Sequence, residues 1–280
     1  MEQIVLSNGV SMPIMGIGTN WMSHKELKTI VAAGLKAGFR AIDTARDYGN
    51  EHIVGDVISE LCNELCIKRS EIFITTKIGN TQQIAGNIEK ELNISLKNLK
   101  SDYIDLWLMH WPYPEYYVKT WNEMQRLYSH SGRIRAIGVA NFRIRHFEQL
   151  MNNSIGITPM VNQMEYHPLR TVDKEISFMR KNNIAVQAYA PLCRLVDPLK
   201  NSIILNELST KYNKSIGQII LRWHIQQGFV MPIFKSYKAY RFKENINIFD
   251  FELDEKEMQS IHSLNIDYKY HIESCNCPGY

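Results

Sequence analysis

The feature that most constrains the fold of this 280-residue chain is a regular alternation of short β-branched runs with longer helical patterns. It extends from about residue 14 to about residue 262, and no Pro-, Gly- or Ser-rich linker interrupts it. The predicted strands are Ile14–Gly18, Ala41–Thr44, Ile72–Thr76, Tyr103–His110, Ile134–Val139, Met160–Gln163, Ala185–Ala188 and Val230–Ile233. We therefore expect one domain over residues 1–280, with a hairpin at 2–13, the repeated units at 14–262 and a C-terminal tail at 263–280.

Strict alternation of strands and helices requires a parallel sheet, and eight such units over about 250 residues are what a closed (β/α)8 (TIM) barrel needs. An open doubly wound sheet is the alternative. That fold binds dinucleotides through G-x-G-x-x-G after its first strand, but Gly16-Ile17-Gly18 is not followed by a third glycine. Ahead of the barrel, two short strands about an Asn8-Gly9 turn predict a β-hairpin that closes the barrel floor.

Two helices are well marked in the sequence. Ser23 and Glu26 have the spacing of a capping box, which predicts the start of the first helix. Another helix is predicted from apolar residues at three- or four-residue steps, namely Ile84, Ile88, Leu92, Leu96 and Leu99.

Charge and composition exclude several classes of function. The formal net charge is only +3, far from the basic character of proteins that bind nucleic acid or membrane surfaces. The longest apolar runs fall short of the roughly 20 residues that a bilayer span needs. No signal-peptide pattern opens the chain, which predicts a cytoplasmic location. Five cysteines without paired C-x-x-C spacing predict free thiols: Cys62, Cys66, Cys193, Cys275 and Cys277.

Four polar residues lie at or beyond predicted strand ends, where a barrel of this kind gathers its active site. Asp43 lies near the end of the second strand, Tyr48 follows in the next loop, Lys77 comes at the end of the third strand and His110 ends the fourth. A neighbouring ammonium favours the tyrosinate, so Lys77 is expected to lower the Tyr48 pKa, while Asp43 keeps the lysine charged. His110 is expected to hydrogen-bond a substrate oxygen. The set suits protonation of a carbonyl oxygen.

Other chemistries are less well supported. A metal centre lacks a second histidine at ligand spacing from His110, and a nucleophilic serine lacks the G-x-S-x-G motif. A Schiff base formed by Lys77 with an aldehyde or ketone stays open as an alternative.

Several motifs in this chain together resemble the signatures of the aldo-keto reductase family. They occur in the family's order and cover nearly the whole sequence. The motifs are Asp43-Thr-Ala-Arg-Asp-Tyr48-Gly-Asn-Glu51, Thr76-Lys77, His110-Trp111-Pro112, Gly138-Val-Ala-Asn141-Phe142, Asn162-Gln163-Met-Glu165-Tyr-His167-Pro168, and Lys235-Ser236 through Arg241 to Glu244-Asn245.

This resemblance implies a monomeric, NADPH-dependent carbonyl reductase on a (β/α)8 barrel, with a small-molecule carbonyl as its partner and no metal. By position, Tyr48 resembles the general acid, Lys77 and Asp43 the pair that lowers its pKa, and His110 the residue that orients the carbonyl. Trp21 and Trp111 are the further substrate contacts that we expect. The competing class is a barrel that binds the cofactor without catalysis, as a regulatory or structural subunit.

The resemblance also implies where NADPH binds. Asn141 and Gln163 match the contacts to the nicotinamide carboxamide, and Tyr189 matches the aromatic residue that stacks on the nicotinamide ring. In the segment after the eighth strand, cations and hydroxyls are expected to hold the 2'-phosphate, although a solvated basic helix end is the alternative. The expected cofactor contacts in this segment are Lys235, Ser236, Tyr237, Arg241, Glu244 and Asn245. Elsewhere in the chain, the further expected cofactor contacts are Thr19, Asn20, Asp43 and Leu192. The tail after Asp267 corresponds to a variable substrate loop, or else to a frayed terminus.

Overall fold

Eight parallel strands close into a barrel in the computed structural model, which describes residues 2–153 and 156–271. A two-stranded antiparallel hairpin precedes them, formed by β1 (Gln3–Val5) and β2 (Ser11–Pro13). The barrel strands are β3 (Gly16–Gly18), β4 (Ala41–Asp43), β5 (Phe73–Ile78), β6 (Leu106–Met109), β7 (Ile137–Ala140), β8 (Val161–Glu165), β9 (Ala185–Tyr189) and β10 (Val230–Phe234). The predicted (β/α)8 barrel with an N-terminal hairpin is confirmed.

Helices connect the strands and surround the barrel. They are α1 (His24–Ala37), α2 (Glu51–Glu64), α3 (Asn80–Ala85), α4 (Ile88–Asn98), α5 (Tyr117–Ser131), α6 (Ile144–Asn153), α7 (Asp173–Lys181), α8 (Asp197–Lys200), α9 (Ile203–Tyr212), α10 (Ile216–Ile225), α11 (Tyr240–Asn245) and α12 (Glu255–His262). The apolar stripes of the longer helices pack on the strands. The core therefore lies both inside the barrel and between the barrel and its helices.

Neighbouring strands share the order of the chain except at one seam, where the last strand meets the first. There β10 pairs with β3 through two residue pairs, Ile233 opposite Gly16 and Phe234 opposite Ile17. By contrast, β8 and β9 pair over five residues. The first and last barrel strands thus close the barrel through only two residue pairs, as few as join β7 and β8.

The hairpin covers the end of the barrel where the strands begin. Met12 is fully buried, and its sulfur lies 3.4 Å from the amide nitrogen of Gln187 inside the barrel. The Asn8 side chain donates hydrogen bonds to the Tyr128 hydroxyl and to the Arg135 carbonyl. These contacts fix the predicted turn against the barrel floor.

A buried carboxylate, Asp105, lies at the same end. Its oxygens accept from Arg69 at 2.9 Å, from Arg135 at 2.6 Å and from the Ile74 backbone N–H at 3.0 Å. Asp105 is fully buried, whereas both guanidinium groups reach solvent. This cluster ties together the starts of the strands.

The helix predictions had two outcomes. The capping box of α1 is present, since the Ser23 N–H donates to Glu26 at 2.8 Å. The predicted helix over 84–99 is wrong in its first turn. Gly86 adopts a left-handed conformation (φ 73°) that ends α3, and Asn87 caps a separate helix, α4, by accepting from the Lys90 N–H. Ile84 consequently lies on α3 and is 48% exposed instead of facing the core.

Three of the five cysteines, Cys62, Cys66 and Cys193, are free thiols as predicted, and Cys275 and Cys277 lie outside the described residues. Among the helices that the structure describes, none has the length and apolar character to cross a bilayer.

Candidate active site

The four predicted catalytic side chains meet at the end of the barrel where the strands finish. Asp43 is the last residue of β4, and Lys77 is the penultimate residue of β5. Tyr48 ends a short 3-10 helix, Arg46–Tyr48, that directly follows β4. His110 follows β6, and its backbone N–H continues the sheet by donating to Ile78 at 2.9 Å. Parallel register therefore gathers residues from three successive strands.

Lys77 is the centre of this cluster. Its side chain is fully buried, and its ammonium contacts both Asp43 oxygens at 2.8 and 2.9 Å. The same nitrogen lies 2.9 Å from the Thr44 carbonyl and 3.2 Å from the Tyr48 hydroxyl. An ammonium held by these acceptors has no exposed face for an incoming carbonyl. The geometry therefore disfavours the Schiff-base alternative.

The protonation equilibria of the cluster correct one expectation from the sequence. Burial, together with the negative charges of Asp43 and Asp47, raises the pKa of Tyr48 well above its usual value near 10. Burial also lowers the pKa of Lys77, while Asp43 opposes that shift. The expected lowering of the Tyr48 pKa beside Lys77 is therefore wrong, because the net shift is upward and burial is its largest cause. The Tyr48 hydroxyl thus keeps its proton at neutral pH, as a proton donor must.

His110 lies beside Tyr48, with the two ring centroids 5.8 Å apart, and the Trp111 ring stacks on His110 at a centroid distance of 6.1 Å. Its Nδ1 atom is 3.0 Å from a carboxylate oxygen of Asp47. Burial lowers the pKa of His110; the hydrogen bond with Asp47 opposes this shift, and the charge of Lys77 adds to it. Asp47 was missed in the sequence, although it lies inside the motif that contains Asp43 and Tyr48.

A hydrogen-bonded chain joins the predicted nicotinamide contacts to this cluster. The Tyr189 hydroxyl donates to the Asn141 side chain at 2.9 Å, and Asn141 donates to the His110 carbonyl at 3.0 Å. Gln163 donates to Asp43 at 2.7 Å and to Gln187 at 2.8 Å. Asn141 adopts a left-handed conformation (φ 64°) directly after β7, which turns its amide towards the cluster. The structure therefore brings these three predicted residues together with Asp43 and His110.

The loop after β3 carries two further predicted contacts. Thr19 is buried and donates from its hydroxyl to the Asp43 carbonyl at 2.8 Å. The side-chain oxygen of Asn20 is buried and has no hydrogen-bond partner among the described residues. Asn50, which sequence reasoning missed, fixes the loop by donating to the Thr19 and Met22 carbonyls. The sequence feature that could have identified Asn50 is its position within the Asp43–Glu51 motif.

The predicted phosphate segment follows β10. Lys235 donates to the Asn20 carbonyl at 2.5 Å, and its ammonium lies 4.8 Å from the Tyr237 ring centroid. Ser236 hydrogen-bonds within its own turn, to Lys238. Arg241 forms a two-pronged ion pair with Glu244, both distances being 3.2 Å. Of these groups, Lys235 contacts the β3 loop, whereas Arg241 pairs within its own helix.

The remaining predicted contacts differ in accessibility. Asn245 is buried, at 3% exposure, and Leu192 is partly buried in the loop after β9. Trp21 is 82% exposed, whereas Trp111 is partly buried against His110.

The part of the tail that the structure describes returns to the active-site end of the barrel. Glu165, which sequence reasoning missed as an anchor, accepts from the backbone N–H groups of Tyr270 at 2.6 Å and His271 at 3.0 Å. Burial alone would raise the Glu165 pKa, but these bonds and His167 lower it below its usual value. The His271 ring meets Tyr189 edge-on at 5.5 Å. The rest of the predicted tail, residues 272–280, lies outside the described residues.

Comparison with known proteins identifies the family. The family model described as "Aldo/keto reductase family" matches residues 14–266, so the chain belongs to the aldo-keto reductase family and is an oxidoreductase. A glyoxal reductase of Bacillus subtilis is 40% identical over 95% of this chain and 94% of its own length. The methylglyoxal reductase DkgA of Escherichia coli is 37% identical over 94% and 93%.

A solved structure agrees with the fold. The aldo-keto reductase of Bombyx mori in complex with NADP superimposes with a TM-score of 0.91 at 34% identity, over 100% of this chain and 98% of that one. The family uses NADP(H), and the residues of this chain fit such a group. Two strand-end amides and a partly buried tyrosine flank the catalytic cluster, a buried Asn20 oxygen is free to accept from a hydroxyl, and cations follow β10.

Proposed function

We propose that this protein reduces an aldehyde or ketone to an alcohol with NADPH, and that Tyr48 is the general acid. The observation that carries this proposal is the position of the buried Lys77 ammonium, 3.2 Å from the Tyr48 hydroxyl and 2.8 Å from Asp43. A proton donor, a cation to stabilise the anion it leaves and a counter-ion for that cation are what protonation of a carbonyl oxygen requires.

Each residue has a separate task in this proposal. When bound, NADPH supplies a hydride to the carbonyl carbon. Tyr48 donates its hydroxyl proton to the carbonyl oxygen, and Lys77 stabilises the tyrosinate that remains. Asp43 keeps Lys77 charged in a buried position, where an unpaired ammonium would be costly. His110 fixes the direction of the carbonyl oxygen.

The cofactor would lie across the hydrogen-bonded residues beside this cluster. Asn141 and Gln163 would hold the carboxamide, and Tyr189 would stack on the nicotinamide ring. Asp43, Thr19, Asn20 and Leu192 would line the adjoining cleft. The 2'-phosphate and adenine contacts would come from the segment after β10: Lys235, Ser236, Tyr237, Arg241, Glu244 and Asn245.

We propose small aldehydes, and α-oxoaldehydes first among them, as the substrate class. The support is the similarity to glyoxal and methylglyoxal reductases along nearly the whole chain. Trp21 and Trp111 would contact the substrate next to His110. A screen of glyoxal, methylglyoxal, an aromatic aldehyde and a sugar, followed by loss of the NADPH absorbance, ranks the substrates. A higher kcat/KM for the sugar than for methylglyoxal contradicts this choice.

Cytoplasmic location and a monomeric state are further predictions, measured by cell fractionation and light scattering.

Tyr48→Phe tests the general acid. We expect kcat to fall at least 100-fold while the Kd for NADPH stays within a few-fold, because the hydroxyl acts on charge that develops only in the transition state. Tyr128→Phe, which removes a hydroxyl at the barrel floor, is the matched control and should leave kcat unchanged. If Tyr48→Phe keeps about a tenth of the wild-type kcat, a loss of only about 1.4 kcal/mol, the assignment is wrong.

A further inference from the structure

Gln187 is a fully buried amide inside the barrel that the mechanism above does not use. It lies on β9, where the strand register pairs it with Gln163 of β8, and its shortest hydrogen bond, 2.8 Å, is the one with Gln163. Its nitrogen otherwise faces the Thr75 hydroxyl at 3.2 Å and the sulfur atoms of Met12 and Met231 at 3.4 and 3.5 Å. A buried amide is costly unless it is hydrogen-bonded, and sulfur is a weak acceptor. The bond with Gln163 is therefore the strongest interaction of this side chain.

The orientation of both amides follows from Asp43. Both oxygens of this carboxylate contact the buried Lys77 ammonium, and an ionised carboxylate only accepts hydrogen bonds. The Gln163 atom that lies 2.7 Å from Asp43 Oδ1 must therefore be the amide nitrogen. The same nitrogen faces Gln187, so the facing atom of Gln187 must be its oxygen. Asp43 thus sets the direction of a hydrogen-bonded chain through Gln163 to Gln187.

Both N–H groups of Gln163 are consequently used inside the protein. An amide nitrogen carries two hydrogen atoms, and here one is directed to Asp43 and the other to Gln187. The Gln163 oxygen accepts no hydrogen bond from the residues that the structure describes. Towards a bound molecule, Gln163 can therefore act only as an acceptor.

Asn141, on the neighbouring strand end, has the opposite polarity. Its nitrogen donates to the His110 backbone carbonyl at 3.0 Å, and its oxygen accepts from the Tyr189 hydroxyl at 2.9 Å. Since a backbone carbonyl only accepts, the orientation of this amide is fixed as well. These two bonds leave one N–H group of Asn141 to donate. One acceptor and one donor beside the catalytic cluster are the complement of a carboxamide.

We propose that Gln187 is a positioning residue for the cofactor: with Asp43 it occupies both N–H groups of Gln163, so that Gln163 accepts from the NH2 group of the nicotinamide carboxamide and Asn141 donates to the carboxamide oxygen. This assignment rests on the proposed function, which places the carboxamide between Gln163 and Asn141. Gln187 acts through Gln163 and does not itself touch the cofactor.

The 3-acetylpyridine analogue of NADP+ is the probe, because a methyl group replaces the carboxamide NH2 while the carbonyl oxygen stays. The Kd values of NADP+ and of this analogue are measured by quenching of protein fluorescence, without substrate. We expect the wild type to bind NADP+ about tenfold more tightly than the analogue, the effect of one hydrogen bond whose acceptor is otherwise left unpaired.

Gln187→Met removes the acceptor for the second N–H group of Gln163 and keeps the length of the side chain. Asp43 alone then holds the Gln163 amide, which is free to turn its oxygen away from the cofactor. We expect the ratio of the two Kd values to fall below about threefold. Gln187→Leu, a smaller apolar residue, should give the same fall, so the test does not depend on the folding of one variant.

Gln187→Glu is the conservative variant that should restore the ratio. Burial favours the protonated form of this carboxyl, whose carbonyl oxygen still accepts from Gln163. Gln125→Met is the matched control, since Gln125 is also fully buried but lies on α5, outside the barrel. It should keep the wild-type ratio even where it lowers the Tm.

A ratio that falls in Gln187→Met or Gln187→Leu and returns in Gln187→Glu supports the proposal. The proposal is wrong if the wild type reduces aldehydes yet binds NADP+ and the analogue equally well, or if the apolar variants keep the wild-type ratio. A fall of the same size in Gln187→Glu or in Gln125→Met also overturns it. Failure of the proposed function looks different, because the wild type would then oxidise NADPH with no aldehyde of the screen, whatever the ratio of the two Kd values.

Discussion

The two ends of the barrel each bury a carboxylate, but they surround it differently. At the floor, Asp105 is bound by two guanidinium groups and a backbone N–H, and both guanidinium groups reach solvent. At the active-site end, Asp43 is bound by a fully buried ammonium and by the Gln163 amide. That ammonium in turn contacts a phenol hydroxyl that carries an exchangeable proton.

The difference distinguishes a cluster that can only stabilise the fold from one that can also respond to a change of charge. Every partner of Asp105 is a permanent donor, so the floor cluster is complete and can only hold the strands together. Lys77 contacts both Asp43 and the Tyr48 hydroxyl, which can lose its proton. The ammonium can therefore stabilise a negative charge that forms on Tyr48. Under the proposed function, the same kind of ion pair stabilises the fold at one end and takes part in the reaction at the other.

Lys77→Met should have the largest effect, and it acts at the active-site end. We expect kcat to fall by about 10²- to 10⁴-fold, the usual contribution of general acid catalysis, because the tyrosinate would form without a cation. Steady-state rates measure the loss, while circular dichroism and cofactor binding confirm a folded barrel. Near wild-type kcat in a folded Lys77→Met protein would mean that the active-site pair, like the floor pair, is structural.

Asp105→Asn is the reciprocal change at the floor. We expect the free energy of unfolding to fall by about 2 to 3 kcal/mol, less than for a fully buried pair because both arginines can be hydrated. For a chain of this size that corresponds to a Tm lower by roughly 3 to 5 °C. The kcat of the folded protein should not change. Asp102→Asn is the matched control, and a kcat loss in Asp105→Asn alone would contradict the separation of the two ends.

Arg241→Ala removes a cation that is only partly buried. We expect wild type to prefer NADPH over NADH by roughly 10- to 1000-fold in kcat/KM, the effect of one paired phosphate. The variant should lose up to about tenfold of that preference through a higher KM for NADPH, and the preference should shrink with salt. Lys243→Ala, one exposed charge on the same helix, is the control. Equal kcat/KM for both cofactors in wild type would refute the assignment of this segment.

The barrel and the convergence of Asp43, Tyr48, Lys77 and His110 were predictable because their signals are local. Alternating strand and helix patterns fix the order of elements, and polar residues at strand ends must converge in a parallel barrel. The hairpin followed from its Asn8-Gly9 turn. The break between α3 and α4 also had a local signal, Gly86-Asn87, but the apolar spacing on both sides concealed it.

Other features depend on contacts between distant parts of the chain. Asp47 and His110 are 63 residues apart, and Glu165 binds backbone groups 105 and 106 residues later. Neither pairing has a spacing that a sequence pattern could reveal. The direction of the Tyr48 pKa shift was unpredictable for a related reason, since burial determines it and burial follows from the assembled barrel.

The two-pair seam between β10 and β3 has a consequence for synthesis on the ribosome. Until Val230–Phe234 has emerged, β3 has only β4 as a neighbour, and its other edge leaves backbone N–H and C=O groups unpaired. Closing the barrel brings the two ends of the chain together, which costs loop entropy before any contact is gained. A sheet formed by the earlier strands during translation would keep this open edge until the last strand is made, and such edges are prone to pair with other chains.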